Sequence, residues 1–418
     1  MYKVYFKQAL HILKQDKLIS IISIAGTALA ITMIMVIYMI NEIKTTNIYP
    51  EINRNRSLYI NGLDISFTDG GHWRTSISYE ILKGCLLNLK SPELISASTQ
   101  LTNAVMNIEG QLTRGTYKLR QTDNNFWSIN SFHFIDGKPF SKEEFNSGLK
   151  VAVISKRVAK ELLNDLSPVG KTVLINYRPY KIIGVVDNIS ILSTYSFADT
   201  WIPYTSSPSY SNDFYNCVIL AKNKREFKMI KSEILLNQHN FNFIDKSKTI
   251  DLNGPYTISQ TLLPIYSSEE AEDEIKANAR KNIFILLIAL VIPAINLSSF
   301  SMSRIRKRKG EIGVRKAFGA SKLILITQIL YENMITTIIG GFIGFVLSIV
   351  SIHFLRNMLF TDPSFVFDNR YISIKVEALF SGSVFLIIFL GCFTLNILSS
   401  CIPAIRASNS QIINALKD

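Results

Sequence analysis

The sequence predicts an α+β membrane protein, with four transmembrane helices and a large mixed α/β domain on the extracytoplasmic side. Three observations carry this. Apolar residues concentrate in four windows, 18–40, 283–300, 323–354 and 378–402, and each can cross ~30 Å of hydrocarbon as a helix of roughly 20 residues. A polar stretch long enough to fold by itself, 41–282, separates the first window from the second. The net charge of +13 is concentrated, with eight basic residues against one acidic in 304–322, directly after the second window. Charged residues make up 18% of the chain, below the ~25% of an ordinary soluble domain, and the apolar content excludes a disordered chain. A basic run beside an apolar span reads as a positive-inside loop; for that reason we set nucleic-acid binding aside.

Along the chain, residues 1–17 carry Lys3, Lys7, His11 and Lys14 at helical spacing, with Tyr5, Phe6, Ala9, Ile12 and Leu13 on the other face. This predicts a cytoplasmic amphipathic helix lying in the headgroup plane. Residues 18–43 form transmembrane helix 1. Ala28-Leu-Ala30 resembles a signal cleavage site, but the apolar run continues to Ile40, about twice the length of a signal-peptide core, so the segment is read as an uncleaved anchor.

The domain at 44–266 reads as strands and helices in alternation. Strands are expected at 57–61, 149–155, 170–176, 180–186 and 217–221, and helices at 77–89, 157–163 and 227–237. Asn176-Tyr-Arg-Pro179 is the turn between two of the strands. Residues 267–282, acidic at the start and basic at the end, match a helix macrodipole and predict a helical stalk leading into transmembrane helix 2 at 283–303. A cytoplasmic loop at 304–322 follows. Transmembrane helix 3 spans 323–355, a short extracytoplasmic loop 356–377, transmembrane helix 4 spans 378–402, and 403–418 is a cytoplasmic tail.

In the third window Gly340 and Gly344 form G-x-x-x-G, a spacing that lets helix backbones approach closely. Glu332 stands near the cytoplasmic end of that window, either reaching the interface or pairing with a Lys of the 304–322 loop. Cys392 and Cys401 read as core thiols, and Cys85 and Cys217 are compatible with a disulfide or with two free thiols.

Catalytic patterns are missing. Residues 165–172 end in Gly170-Lys-Thr172, but Asp165 stands where a phosphate-binding loop needs its first Gly, and Pro168 removes a donor. His11, His72, His133, His239 and His353 occur in no zinc-protease spacing, and no nucleophile elbow appears. The chain is therefore expected to be no enzyme and to hold no metal.

The informative segment is 303–322. Residues 311–317 predict a two-turn helix stopped by Gly319, with Gly313 and Ala317 forming a thin face for close approach and Arg315 and Lys316 supplying donors. Glu311-Ile-Gly-Val-Arg-Lys-Ala-Phe-Gly-Ala-Ser321, preceded by its basic run and by Asn296-Leu297, closely resembles the signature of FtsX/MacB-type ABC transporter permeases. Val151-Ala-Val-Ile-Ser155, Pro168-Val-Gly-Lys171 and 180–187 resemble that family's periplasmic core domain, and Pro403-Ala-Ile-Arg-Ala-Ser408 its C-terminal tail.

The resemblance spans nearly the whole chain. It implies a porter-like α/β subdomain split between 50–105 and 206–266, with a β-rich insert at 106–205. It implies that Glu311, Ile312, Gly313, Val314, Arg315, Lys316, Ala317, Phe318 and Gly319 form a coupling helix docking on an ATPase, so that substituting Gly313→Arg is expected to abolish that docking. One departure is that no ATPase domain precedes the first crossing, so two copies of a separate ATPase subunit, carrying ATP and Mg, are expected. A second permease copy (identical or different), membrane lipid, and a periplasmic adaptor or outer-membrane partner complete the implied assembly. It would sit in the inner membrane with both termini cytoplasmic and 44–282 periplasmic.

The function implied is mechanotransmission, in which ATP-driven motion in the cytoplasm is passed to the periplasmic domain for efflux of an amphiphile or peptide. Lipoprotein extraction and activation of a cell-wall hydrolase are alternatives within the same family. A ligand-binding receptor without an ATPase is an alternative of another class.

Overall fold

The structure is a computed structural model. It describes residues 11, 13–15, 17–108, 114–163, 168–244, 246–263, 268–360 and 382–409. Most of the expected amphipathic helix at 1–17 and most of the 356–377 loop lie outside these residues. The chain divides into an α/β unit within 43–278 and 362–374, and a helical unit within 1–42, 279–361 and 375–418.

Fourteen strands are described: β1 Ser57–Ile60, β2 Gly62–Phe67, β3 His72–Thr75, β4 Ile77–Ser78, β5 Leu94–Thr99, β6 Thr102–Asn107, β7 Arg114–Thr122, β8 Phe134–Gly137, β9 Val151–Ser155, β10 Thr172–Ile175, β11 Arg178–Val186, β12 Thr200–Pro203, β13 Phe214–Leu220 and β14 Lys248–Asn253. The described helices are α1 Lys17–Thr45, α2 Tyr79–Ile81, α3 Asn125–Ile129, α4 Lys142–Asn146, α5 Lys156–Leu163, α6 Phe227–Ile244, α7 Ser268–Lys307, α8 Lys309–Ala317, α9 Lys322–Phe360 and α10 Gly382–Asn409.

The order β7–β12–β9–β11–β10–β6 returns to β7, because β6 also pairs with β7. The insert is thus a closed ring of six strands, and closure leaves none of the six with a free edge. Its interior follows the strand period of two: Ala104 and Met106, Tyr117 and Leu119, Ala152 and Ile154, Val173 and Ile175, and Tyr180 and Ile182 share one core. Helix α5 adds Val158, Ala159 and Leu162 to it. Between Ile175 and Arg178 the chain turns through Asn176 and Tyr177, both at positive φ, the backbone of a tight hairpin turn that matches strand twist. The Asn176 carboxamide oxygen accepts from Val105 N–H at 3.0 Å, tying the turn to the neighbouring segment.

Outside the ring, β1, β13 and β5 form an antiparallel sheet, and β5 joins it to β7. Ile230 and Ile234 of α6 are buried in the core under this sheet. A separate three-stranded sheet runs β14–β2–β3.

Two expectations need correction. The helix at 77–89 is shorter and irregular: Ile77 and Ser78 pair with Tyr215 and Phe214 of β13, and a π-helical turn over Leu82–Leu86 follows α2. Pairing with a strand far along the chain overrides the local helical pattern. The last helix passes the predicted end at residue 402 and continues through Pro403 to Asn409. Packing keeps it going, because Ala404 is fully buried with Ile329. Cys85 and Cys217 are free and buried.

Among the described residues, three helical stretches are long and apolar enough to cross a membrane: Lys17–Thr45, Lys322–Leu355 and Phe385–Arg406. The remaining predicted crossing, 283–303, falls inside α7, one helix of 40 residues that also contains most of the predicted stalk.

Within the helical unit α9 is the central element. An added Cβ on Gly340 would lie 2.8 Å from the Thr27 Cβ, and one on Gly344 would lie 2.6 Å from the Ala28 carbonyl oxygen. The two glycines therefore let α1 approach closely. The Thr32 hydroxyl donates to the Gly344 carbonyl at 3.0 Å across the same contact.

Candidate functional site

Residues 311–319 and Glu332 meet at the junction of α7, α8 and α9, while Gly340 and Gly344 pack against α1. Arg308 breaks the helix between α7 and α8, with non-helical φ −109° and ψ 18°. Helix α8 ends in a Schellman arrangement. Ala320 N–H donates to the Arg315 carbonyl and Gly319 N–H to that of Lys316, both at 3.0 Å, with Gly319 at φ +86°. An L-residue is strained at that φ, so Gly319 stops the helix.

Helix α8 is fastened to α9 by side chains. Arg308 Nη1 donates to Glu332 Oε1 at 2.9 Å and Arg308 Nε to Glu311 Oε2 at 3.2 Å. Arg315 Nη1 donates to Gln328 Oε1 at 2.7 Å. At the end of α7, Ser301 and Arg304 both donate to Asn333 Oδ1, at 2.8 and 2.7 Å. Ile305, Ile312, Leu325 and Ile329 line the cleft between these polar contacts. Glu332 is only 4% exposed, and a buried carboxylate of this kind needs a paired cation. Of the two fates expected for Glu332 the structure shows the pairing, but the cation is Arg308 and not a Lys of the loop.

The nine residues 311–319 divide between two faces. Ile312 lines the cleft and Gly313 is buried. Ala317 and Gly319 are exposed, while Arg315 and Lys316 are half-buried. Glu311, Val314 and Phe318 are exposed at i, i+3 and i+7, one stripe of a helix. Val314 is 44% and Phe318 88% exposed. Of the two residues expected to form a thin face, Gly313 is buried and Ala317 exposed.

Sequence reasoning missed Arg304, Gln328 and Asn333 as partners in this cluster. The available signal was the i, i+4 and i+5 spacing of Gln328, Glu332 and Asn333 on an otherwise apolar helix. In the α/β unit, Lys171-Thr172 runs into β10, a strand, whereas a phosphate-binding loop opens a helix.

Two family models match the chain, the MacB-like periplasmic core domain over residues 20–235 and the FtsX-like permease C-terminal over 283–412. Among curated proteins, the uncharacterized ABC transporter permease YknZ of Bacillus subtilis is 26% identical over 229 residues, covering 53% of this chain and 54% of that protein. The macrolide export ATP-binding/permease protein MacB of Pasteurella multocida is 24% identical over 432 residues, covering 99% of this chain and 60% of that protein. The chain thus spans a little over half the length of these two relatives. Among solved structures, the extracellular domain of the noncanonic ABC-type transporter YknZ from Gram-positive bacteria aligns with 46% of this chain and 100% of that one, at 19% identity and a TM-score of 0.36.

Proposed function

The chain belongs to the FtsX/MacB-type ABC transporter permeases, and on that premise we propose that it is driven by a separate ATPase docking on the exposed stripe of α8. In this reading residues 304–322 are cytoplasmic and the MacB-like domain is extracytoplasmic. The observation that carries the docking assignment is Phe318, a large apolar side chain 88% exposed at the capped end of a helix bolted to a membrane-spanning helix. A large exposed apolar group on a rigid support is suited to be the anchor of an interface. Val314 extends the apolar contact and Glu311 adds a charge at its rim.

ATP and Mg would act on the ATPase subunit, and two such subunits would serve two permease copies. When the ATPases close, α8 would be displaced together with α9, and the extracytoplasmic domains would change their spacing. One of the two relatives is by name a macrolide exporter. On that likeness the cargo class is an amphiphilic compound or peptide leaving the cell from an inner membrane.

The test is Phe318→Asp. Membrane insertion and the fold should be unchanged, since an exposed substitution shifts stability by about 0.5 kcal/mol or less. Co-purification of the ATPase should weaken ~30-fold, the loss of an anchor worth about 2 kcal/mol. Full retention of the ATPase would remove Phe318 from the interface.

A further inference from the structure

We propose that Arg308 is a positioning residue, the joint that makes α8 and α9 move as one piece. The proposal deepens the docking assignment and rests on it only where the ATPase is used as a readout.

Arg308 stands at the helix break, where α7, α8 and α9 meet. Its guanidinium holds two carboxylates at once, Glu332 on α9 and Glu311 in the first turn of α8. The two arms differ in surroundings. The Glu332 side chain is 5% exposed and that of Arg308 16%, whereas the Glu311 side chain is 55% exposed. The exposed arm is weakened by solvent and salt. The buried arm is weakened far less, and breaking it leaves a buried carboxylate without its ion-pair partner in a cleft of mixed polar and apolar lining.

The planar fork of arginine serves both carboxylates from separate nitrogens, which a single ammonium does less well. Arg315 provides a second contact one turn along α9, at Gln328. This one is uncharged on the α9 side, so its loss leaves no stranded ion. The asymmetry assigns the transmitting role to the Arg308–Glu332 contact and a lesser, steering role to Glu311 and Gln328.

The experiment uses the full chain in lipid nanodiscs, with spin labels on the exposed positions Val314 and Leu323. The wild-type background should give one narrow inter-label distance. Arg308→Gln and Glu332→Gln should each broaden it, while Glu311→Gln should leave it narrow. The reversed pair, Arg308→Glu with Glu332→Arg, restores the buried arm and should narrow the distribution again, a rescue that a loss of packing alone would not give. A narrow distribution in Arg308→Gln, or an inserted reversed pair that stays broad, overturns the proposal.

A second arm adds the ATPase. Arg308→Gln should still retain it through the untouched Phe318 stripe, yet trapping the ATPase closed should no longer shift labels placed at Tyr177 of the two permease copies. A shift equal to the wild type in Arg308→Gln counts against the joint. If the wild-type chain retains no ATPase, the docking assignment fails, while the nanodisc result on Arg308 is unaffected.

Discussion

Both units of the molecule bury charge, but they end it on different partners. In the α/β unit, Glu51 pairs with Arg54 at 2.6 Å and accepts from the backbone N–H groups of Tyr195 and Ser196 at 2.9 and 2.7 Å. Arg120 donates to the carbonyls of Thr99, Thr194 and Phe197. Asp123 accepts from Ala97 and Phe126 N–H, both at 2.9 Å. In the 301–333 cluster, by contrast, the arginines end on Glu311, Gln328, Glu332 and Asn333 side chains.

The cause is elementary. Loops of a mixed domain contain backbone groups that must be satisfied when buried, and the charges satisfy them. Helices use most of their own backbone groups internally, so polar contacts between helices fall mainly on side chains, with the Thr32 hydroxyl on the Gly344 carbonyl as an exception. A charge anchored on backbone fixes a loop in one place. A contact between side chains ties one helix to another, so that the two can move together.

The largest test of that contrast is Glu51→Ala. It leaves Arg54 without its carboxylate and the Tyr195 N–H without its acceptor, while the Ser196 N–H keeps the Ser193 carbonyl at 3.1 Å, a loss of roughly 3–5 kcal/mol. Limited proteolysis of the full chain should cut the α/β unit around 192–199 while membrane insertion persists. Wild-type resistance would show that the backbone-anchored network is not what holds that loop.

Gly344→Leu comes next. Its Cβ would meet the Ala28 carbonyl oxygen, and overpacking of this kind costs roughly 1–3 kcal/mol. Cross-linking between cysteines placed on α1 and α9 should fall, with the α/β unit unchanged. Undiminished cross-linking would mean that the two helices tolerate a wider spacing.

The smallest effect is one of pH. Burial raises the Asp123 carboxyl from 3.8 to about 6, against the opposing hydrogen bonds from Ala97, Ser96 and Phe126. A carboxyl raised on folding binds its proton more readily in the folded state. Local stability therefore increases as pH falls from 7 to 5, by on the order of 1 kcal/mol. Amide exchange at Ala97 and Phe126, corrected for the intrinsic rate, should slow accordingly at pH 5, and Asp123→Asn should remove the difference. Faster corrected exchange at pH 5 would reverse the sign of the argument.

What the sequence made legible follows the range of the interactions involved. The apolar windows, a turn starting at Asn176 and the helix ended by Gly319 are all local signals, contained within a turn or a run, although Arg178 and Pro179, expected in the turn, already pair in β11. Ring closure in the insert was not legible. It pairs Leu119 with Thr200 and Leu174 with Asn107, and nothing near either residue announces the partner. The site shows the same split. Helix α8 could be read from 303–322 alone, but which of its faces is buried is decided by Gln328 and Glu332 on another helix. For that reason neither the burial of Gly313 nor the exposure of Phe318 is legible in 311–319 alone.

The central claim is that the segment bearing Phe318 faces the cytoplasm, where an ATPase can reach it. Labelling with a membrane-impermeant maleimide tests it directly, using Phe318→Cys and, as a reference in the β10–β11 turn, Tyr177→Cys. In intact spheroplasts the account predicts labelling at position 177 only, with position 318 labelled after the membrane is permeabilised. Labelling of position 318 from outside intact spheroplasts would contradict it.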